Sequence, residues 1–319
     1  MSSAPTHGYF EAQAGASQAR ALQLVIKALV KIGVDLFVEV HQSEIVLRTL
    51  NTARSAFVTV TLGEGFFSHF EVRGEVEKCK ILLKSAVAVF RNAHHLDKFS
   101  IRFDCANADF SFHLLGKNEV SRRYKLAYEA CDVMQAVYNK ERCNNKALLR
   151  AKPLQDCLAS FHNSVEEVTM TASKEALGWK SFTPGAGSDG DMQTETSFNP
   201  REFEKFSVRG NPSVTFSIRE LKPMVELCEK VQCSVSFAFD GAGSPIIFSA
   251  EGMEDEIQLD LVLATLQGTG DNDQSQQDSQ MDDSAAPSQQ PDSARESMAR
   301  DSMPRDESAA PSSVRGGRD

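Results

Sequence analysis

One order of elements occurs twice along this chain, and it limits the fold more than any other feature. A strand, a helix and a run of antiparallel-type strands lead to a second helix and further strands, around residues 8–128 and again around 146–266. Each half then holds two helices and about eight or nine strands. The repetition is one of pattern, because the halves share no convincing residue-level identity. Helices paired on one face of an antiparallel sheet bury that face, while the other face packs elsewhere or meets solvent. Terminal strands leave open edges unless a neighbour pairs with them. Two such domains in tandem therefore predict an assembly joined edge to edge.

Local signals carry this pattern. Alternation marks strands over Ser43–Leu50 and Ala56–Leu62, which flank the polar loop Thr49–Ser55. Three more run over Asp97–Cys105, Asp109–Leu115 and Val120–Tyr128. Four segments read as helices: Ser17–Ile32, capped by Ser17 and ending before Gly33; Cys79–Asn92; Lys152–His162, with Pro153 near its first position; and Ser217–Gln232. Between the halves, Glu129–Asn145 is polar with Met134, Val137 and Tyr138 embedded, as an interdomain connector would be.

The foldable part stops near Leu266. Beyond it there is no further Leu, Ile, Phe, Tyr, Trp or Cys. Asp271–Asp319 holds eleven acidic residues and five arginines, a net of −6 out of the chain's −10, which leaves −4 for the body. Such a tail buries too little apolar surface to offset the entropy of ordering, so disorder is expected over 268–319. At 41 % apolar and 24 % charged residues, the chain as a whole is no collagen, coiled coil, wholly disordered polymer or small disulfide scaffold. Its negative field argues against coating nucleic acid through bulk basicity. The longest apolar stretch, Ala21–Val34, is broken by Lys27 and Lys31, so no membrane span is expected. The first fifteen residues contain Glu11 and no apolar core of a secretory leader. Seven cysteines without a Cys-x-x-Cys pair fit a reduced intracellular chain with free thiols.

Positive charge is segregated against this background. Arg20, Gln23, Lys27 and Lys31 recur at helical spacing in the first helix. Lys80, Lys84 and Arg91 do so in the second, opposite its apolar stripe. Arg219, Lys222 and Lys230 lie close together in the fourth, with Glu220 and Glu226 intruding. The third contributes only Lys152, with Arg150 just before it. A solvated face explains any one helix. Three basic faces on a negative body form what an electrostatic channel needs, a track for a phosphate backbone.

Particular residues add a resemblance. The run Ile45–Phe57 (IVLRTLNTARSAF), continued by Gly65-Phe66-Phe67-Ser68-His69-Phe70, resembles the strand–loop–strand of sliding clamps, the superfamily of proliferating cell nuclear antigen. Leu47–Phe57, Cys79–Ser85 with Val89-Phe90-Arg91, Ala136-Val137-Tyr138, Pro245–Phe248 and Val262–Leu266 resemble more narrowly the largest subunit of the nine–one–one DNA-damage checkpoint clamp. The likeness covers about Gly8 to Leu266, in order and at matching spacing. It implies an α+β fold of two tandem clamp domains, with antiparallel sheets outside and helices facing inward. On this reading the first clamp domain is 1–128, the connecting loop 129–145, the second clamp domain 146–267 and the disordered acidic, Ser-rich tail 268–319.

The resemblance also implies a role. Two other subunits of the same fold would close a heterotrimeric ring around double-stranded DNA in the nucleus, placed by a clamp loader at damaged or recessed ends. Arg20, Lys27, Lys31, Lys80, Lys84, Arg91, Arg219, Lys222 and Lys230 would face DNA. A groove near Met134, Val137 and Tyr138 would take partner peptides, unless those side chains only pin the connector. The tail, once phosphorylated, would recruit a BRCT-containing activator of a checkpoint kinase. Ser275-Gln276 and Ser279-Gln280 are Ser-Gln pairs in an acidic surround, and phosphate there adds about −1.5 to −2 charge. Two departures stand out: the lead Met1–His7 precedes the first strand, and the tail has no Lys/Arg run for nuclear import.

Catalytic patterns are weak, and no cofactor or metal is expected. Gly63-Glu64-Gly65 and Gly185-Ala186-Gly187 lack the Gly-Lys-Ser/Thr of a phosphate loop. His94-His95 reads as a helix end, Cys228 and Cys233 as core, Asp104 and Asp109 as turn residues, and Trp179 as packing or an edge contact. The remaining alternatives are a homotrimeric replication clamp, which the acidic tail disfavours, and a metal-dependent 3′–5′ exonuclease on the same scaffold, for which the carboxylates are too scattered.

Overall fold

Two halves with identical element order make up the structure, a computed structural model that describes residues 7–132, 138–182, 193–251 and 257–267. Met134, Val137, Ser275, Ser279 and the rest of the tail lie outside the described residues, as does the lead 1–6. In the first half, β1 (Tyr9–Gly15) leads to α1 (Ala16–Leu29). Then come β2 (Asp35–Val40), β3 (Glu44–Leu50), β4 (Ala56–Gly63), β5 (His69–Arg73) and β6 (Cys79–Leu82). Next is α2 (Leu83–Val89), followed by β7 (Leu96–Asp104), β8 (Asp109–Gly116) and β9 (Ser121–Leu126). The two-residue β10 (Glu129–Ala130) opens the connector.

The second half repeats this order. It runs β11 (Asn145–Arg150), α3 (Ala151–Ser160), β12 (Glu167–Ala172), β13 (Leu177–Phe182), β14 (Glu195–Phe198), β15 (Lys205–Ser207), β16 (Ser213–Ser217), α4 (Leu221–Lys230), β17 (Ser234–Phe239), β18 (Ile246–Glu251) and β19 (Ile257–Leu263). Even the 3-10 turns Glu64–Phe66 and Pro200–Glu202 fall at matching places, after the third strand of each five-strand run.

The pairings repeat as well. β1 pairs with β5 and β7, as β11 pairs with β15 and β17. β2 pairs with β3 and β6, as β12 pairs with β13 and β16. Each half is therefore one five-stranded and one four-stranded antiparallel arrangement. The halves fuse where β4 of the first pairs with β19 of the second, from Ile257↔Leu62 to Leu263↔Ala56. The fusion produces a ten-stranded sheet, β10-β6-β2-β3-β4-β19-β18-β17-β11-β15. It leaves a five-stranded sheet, β5-β1-β7-β8-β9, and a four-stranded sheet, β14-β13-β12-β16.

Strict alternation places alternate side chains of β4 inward, and apolar rings fill the space between sheets and helices. Phe90 meets Phe99 and Phe112 edge-on in the first half; Trp179 meets Phe216, and Phe216 meets Phe248, in the second. Core residues of both halves belong to one continuous apolar cluster. Gly33 closes the turn after α1, where a Cβ would run into the Thr49 side chain and stand 2.6 Å from Leu50 O.

Every helix is shorter than its sequence reading, and α4 starts at Leu221 rather than Ser217, which ends the paired strand β16. α1 starts at Ala16 with Gly15 in the cap position, so Ser17 lies inside the first turn and caps nothing. Cys79–Leu82 is a strand, not the first turn of a helix, because it pairs with β2 from Asp35↔Leu82 to Val38↔Cys79. The inward Cys79 and Ile81 alternate with Lys80 and Leu82, a period-two pattern that helical spacing of the lysines had masked.

Candidate DNA-facing surface and partner edges

The four helices form one continuous row. α1 packs against α2 on one side and α4 on the other, and α4 packs against α3. Gln23 on α1 fastens the first contact: its amide donates to Phe90 O and, at 3.0 Å, to Arg91 O at the end of α2. Glu226 on α4 fastens the second, accepting Lys31 Nζ at 2.6 Å. Lys230 Nζ reaches the same carboxylate from one turn along α4, also at 2.6 Å. Hydrogen bonds from the two ammonium groups hold the Glu226 carboxyl down at about 2.

The nine basic residues are not equivalent. Arg20, Lys27, Lys31, Lys84, Arg91, Arg219 and Lys230 are exposed, while Lys80 and Lys222 are half-buried. Lys80 stands on β6, beside Glu129 of β10 at 3.2 Å, so it leaves the helical set. Lys31 and Arg91 follow their helices, and Arg219 precedes α4. Arg219 faces Glu166 at 3.4 Å and Glu220 at 3.9 Å. Glu220, one of the two intruding acids, is buried rather than on the open face. Lys27 and Lys230 occupy last helical turns, where the negative helix end favours a cation.

Tyr138 lands on the opposite face of the ten-stranded sheet. It packs with Phe57 and Cys143 over Ala238, Ile247 and Val262, across the β4·β19 seam. Its hydroxyl donates to Asp260 Oδ2 at 3.2 Å, and Lys140 reaches Asp260 Oδ1 at 3.0 Å. Burial, and next the Asp260 charge, push the phenol up to about 12. This end of the connector is thus pinned to the sheet, with Tyr138 seated on its small apolar patch.

A second polar group on this sheet was not legible beforehand. Glu39 on β2 is buried beneath Arg48 of β3, with His41 at 3.4 Å and Lys78 at 3.7 Å. Burial lowers the Arg48 guanidinium from its usual value. Only cross-strand register brings Glu39 and Arg48 together, and single-sequence spacing does not supply it. A cleft of about 270 Å³ between the turn after α2 and the β8–β9 turn was likewise missed; His95, Lys117 and Arg122 line it with Asn92 and Asn118.

The carboxylates weighed for a nuclease have other work. Asp104 accepts from Asn107 Nδ2 at 2.9 Å and faces Arg102 at 3.3 Å. Asp109 faces Arg123 at 2.6 Å and Lys125 at 3.6 Å. Among the described residues, no group of three or more His, Cys, Asp or Glu side chains is arranged to hold a metal ion. Cys228 and Cys233 are both buried at the end of α4, and Trp179 is wholly buried in the second half. No helix among the described residues is long and apolar enough to cross a membrane.

Among the described residues six strands end a sheet, β5, β9, β10, β15, β14 and β16, and two of them are counterparts of the seam strands. In the first half β9 is the equivalent of β19, and in the second β14 is the equivalent of β4. β4 and β19 pair with each other inside the chain; β9 and β14 each end a sheet. β9 is exposed and basic, with Arg122, Arg123 and Lys125, and β14 starts at Glu195.

This architecture is that of solved sliding clamps. A PCNA from Thermococcus kodakaraensis superposes with a TM-score of 0.68 at 18% identity, over 80% of this chain and 99% of that one. A chain of a PCNA2–PCNA3 complex from Sulfolobus tokodaii does so with a TM-score of 0.65 at 14% identity, over 80% and 98%. Among curated proteins, the cell cycle checkpoint control protein Rad9 of Drosophila melanogaster is 25% identical over 252 residues, 78% of this chain and 55% of its own length. The DNA repair protein rad9 of Schizosaccharomyces octosporus is 26% identical over 280 residues, 74% of this chain and 65% of its own. The chain thus spans between about half and two-thirds of the curated relatives it matches. A model of the Rad9 family matches residues 22–266, from α1 to just past the last strand of the second half. With the PCNA-like fold in place and that family match covering most of its length, this chain belongs to the Rad9 family.

Proposed function

We propose that the chain is a non-catalytic subunit of a heterotrimeric DNA clamp, closed with two other subunits of the same fold around double-stranded DNA. The observation that carries the reading is the β4·β19 seam beside the unpaired β9 and β14. Internal equivalence says what those edges want: β9 of one subunit against the β14 counterpart of the next. That contact is head-to-tail, so it repeats until the rotation closes a ring. The helix row, with its exposed cations, then faces the hole, and enclosure retains DNA without base-specific contact.

The relatives' names, checkpoint control and DNA repair, supply the setting. In it a clamp loader places the ring at damaged or recessed DNA in the nucleus. The tail, phosphorylated at Ser275 or Ser279, recruits a BRCT-containing activator of a checkpoint kinase. The ion-paired state of Asp104 and Asp109 supports a scaffold over a nuclease. A partner-peptide groove at Met134, Val137 and Tyr138 belongs to this reading.

Opposite charges on β9 and at Glu195 of β14 favour a second reading, self-association into a homotrimer. Native mass decides between them. The chain is measured alone and after co-expression with two candidate clamp subunits. A one-to-one-to-one complex, with a monomer or aggregate when alone, supports the heterotrimer. A stable homotrimer supports a processivity clamp, and a monomer indifferent to partners ends both.

A further inference from the structure

Glu226 stands where the two halves meet on the helix row. One carboxylate there is shared by Lys31, from beyond the end of α1, and Lys230, at the end of α4, each at 2.6 Å. Two of the cations assigned to DNA are thus already held by an acid, and that acid is partly exposed on the same surface. Arg219 and Lys80 also face carboxylates, at 3.4 and 3.2 Å. The remaining five, Arg20, Lys27, Lys84, Arg91 and Lys222, form no ion pair among the described residues. Four of these five lie on or beside α1 and α2. Arg20 reaches only back to Ala16 O, at 3.2 Å. Gln23 ties their two helices together through the carbonyls of Phe90 and Arg91, so the α1 stripe and Arg91 share one surface.

We propose that this chain touches the phosphate backbone with the α1–α2 half of its helix row, through Arg20, Lys27, Lys84 and Arg91, and that Glu226 withholds Lys31 and Lys230 from it. The proposal rests on the helix row being the surface that faces DNA. Its physical basis is competition for the same ammonium groups. A lysine bound to a carboxylate contributes to phosphate contact only after that pair separates, and the carboxylate left behind repels the backbone. The triad carries one net positive charge instead of two, with its negative charge fixed at the centre. Removing the carboxyl charge at Glu226 therefore strengthens the hold on DNA, whereas most substitutions on a binding surface weaken it.

The test uses the full chain in its assembled complex. Retention on linear duplex DNA is measured against salt concentration for Glu226→Gln, for Lys31→Gln with Lys230→Gln, and for Arg20→Gln, Lys27→Gln, Lys84→Gln and Arg91→Gln combined. Native mass first establishes that each complex has formed. Each lost phosphate contact flattens the log–log salt slope by about 0.9. The combined α1–α2 variant is expected to flatten it by roughly 3 to 4, and the Lys31/Lys230 pair by less than about 1. Glu226→Gln is expected to steepen the slope and raise retention severalfold, a gain that structural damage does not produce. If the combined variant fails to assemble, Lys27→Gln and Lys84→Gln taken singly serve, each flattening the slope by about 0.9. A Lys31/Lys230 loss that matches the others residue for residue, or an unmoved slope in Glu226→Gln, overturns the partition alone. Retention indifferent to every variant overturns the DNA-facing reading itself, and the partition with it.

Discussion

Asn51 Nδ2 donates to Glu220 Oε1 at 2.9 Å, a bond between the β3–β4 turn and the start of α4 that spans 169 positions of sequence. Around it, Asn51 Oδ1 accepts from the backbone N–H groups of Ser55 and Ala56, at 2.9 and 3.1 Å. Ser217 Oγ donates to Glu220 Oε2 at 2.6 Å. One buried asparagine thus shapes the turn of the first half while it satisfies a buried carboxylate of the second. Glu220→Ala leaves the Asn51 amide and the Ser217 hydroxyl short of an acceptor, at an expected cost of about 1–3 kcal/mol. Asn51→Ala has a similar cost, and the double variant loses less than the sum because the pair is coupled. Denaturant midpoints should fall in both single variants with the transition slope unchanged.

Tyr138 gives a prediction at alkaline pH. Its folded value of about 12 stands above the usual 10.0, so folding favours the neutral phenol. That contribution is fully present below about pH 10 and is lost as pH rises through about 12. Four tyrosines are present in all. Tyrosinate absorbance should show a late phase near pH 12 that Tyr138→Phe diminishes. Tyr9 and Tyr128, also raised, remain in the variant, so only a titration that the substitution leaves unchanged near pH 12 would place Tyr138 off the sheet.

Trp179, the only tryptophan, reports on the second half alone. It is wholly buried, touches Phe216 edge-on at 5.6 Å between centroids, and its indole Nε1 has no hydrogen-bond partner among the described residues. Its emission should be blue-shifted and shielded from aqueous quenchers until unfolding. Trp179→Ala should cost about 3–5 kcal/mol through the cavity it leaves. Trp179→Phe should cost clearly less, because it also removes a buried donor that lacks an acceptor.

Ser275→Ala combined with Ser279→Ala tests the signalling arm apart from the ring. Damage-dependent recruitment of the BRCT-containing partner should be lost, while loading of the clamp persists. Co-precipitation with and without damage reads the first, and chromatin retention the second. Undiminished recruitment would move the signal to another serine, with Ser284 and Ser293 next to test.

Much of the architecture was legible because strand alternation is a local signal. The strands over 43–50, 56–62, 97–105 and 109–115 agree with β3, β4, β7 and β8 to within about a residue at each end, since polar turns bound them on both sides. The strand Cys79–Leu82 was not legible: four residues are too few for a period to declare itself, and pairing with β2 decides the matter. Three basic helix faces were visible as stripes, yet the stripe could not show that Glu226 claims Lys31, a residue 195 positions away. The same limit hid Asn51–Glu220 and the Arg48–Glu39–Lys78 group. Each is a product of register and of the seam between halves, which no local window contains.

The β4·β19 seam has a consequence for how such an assembly comes apart. Its seven registered pairs join strands of one covalent molecule, so dilution never separates them. In the proposed ring the counterpart contacts, β9 with a neighbour's edge and β14 with another's, would have no tether, and β14 offers four residues. Around such a ring, permanent and exchangeable joints would therefore alternate. A gate can open only at a chain boundary, and the weakest of those boundaries sets how long the ring stays shut.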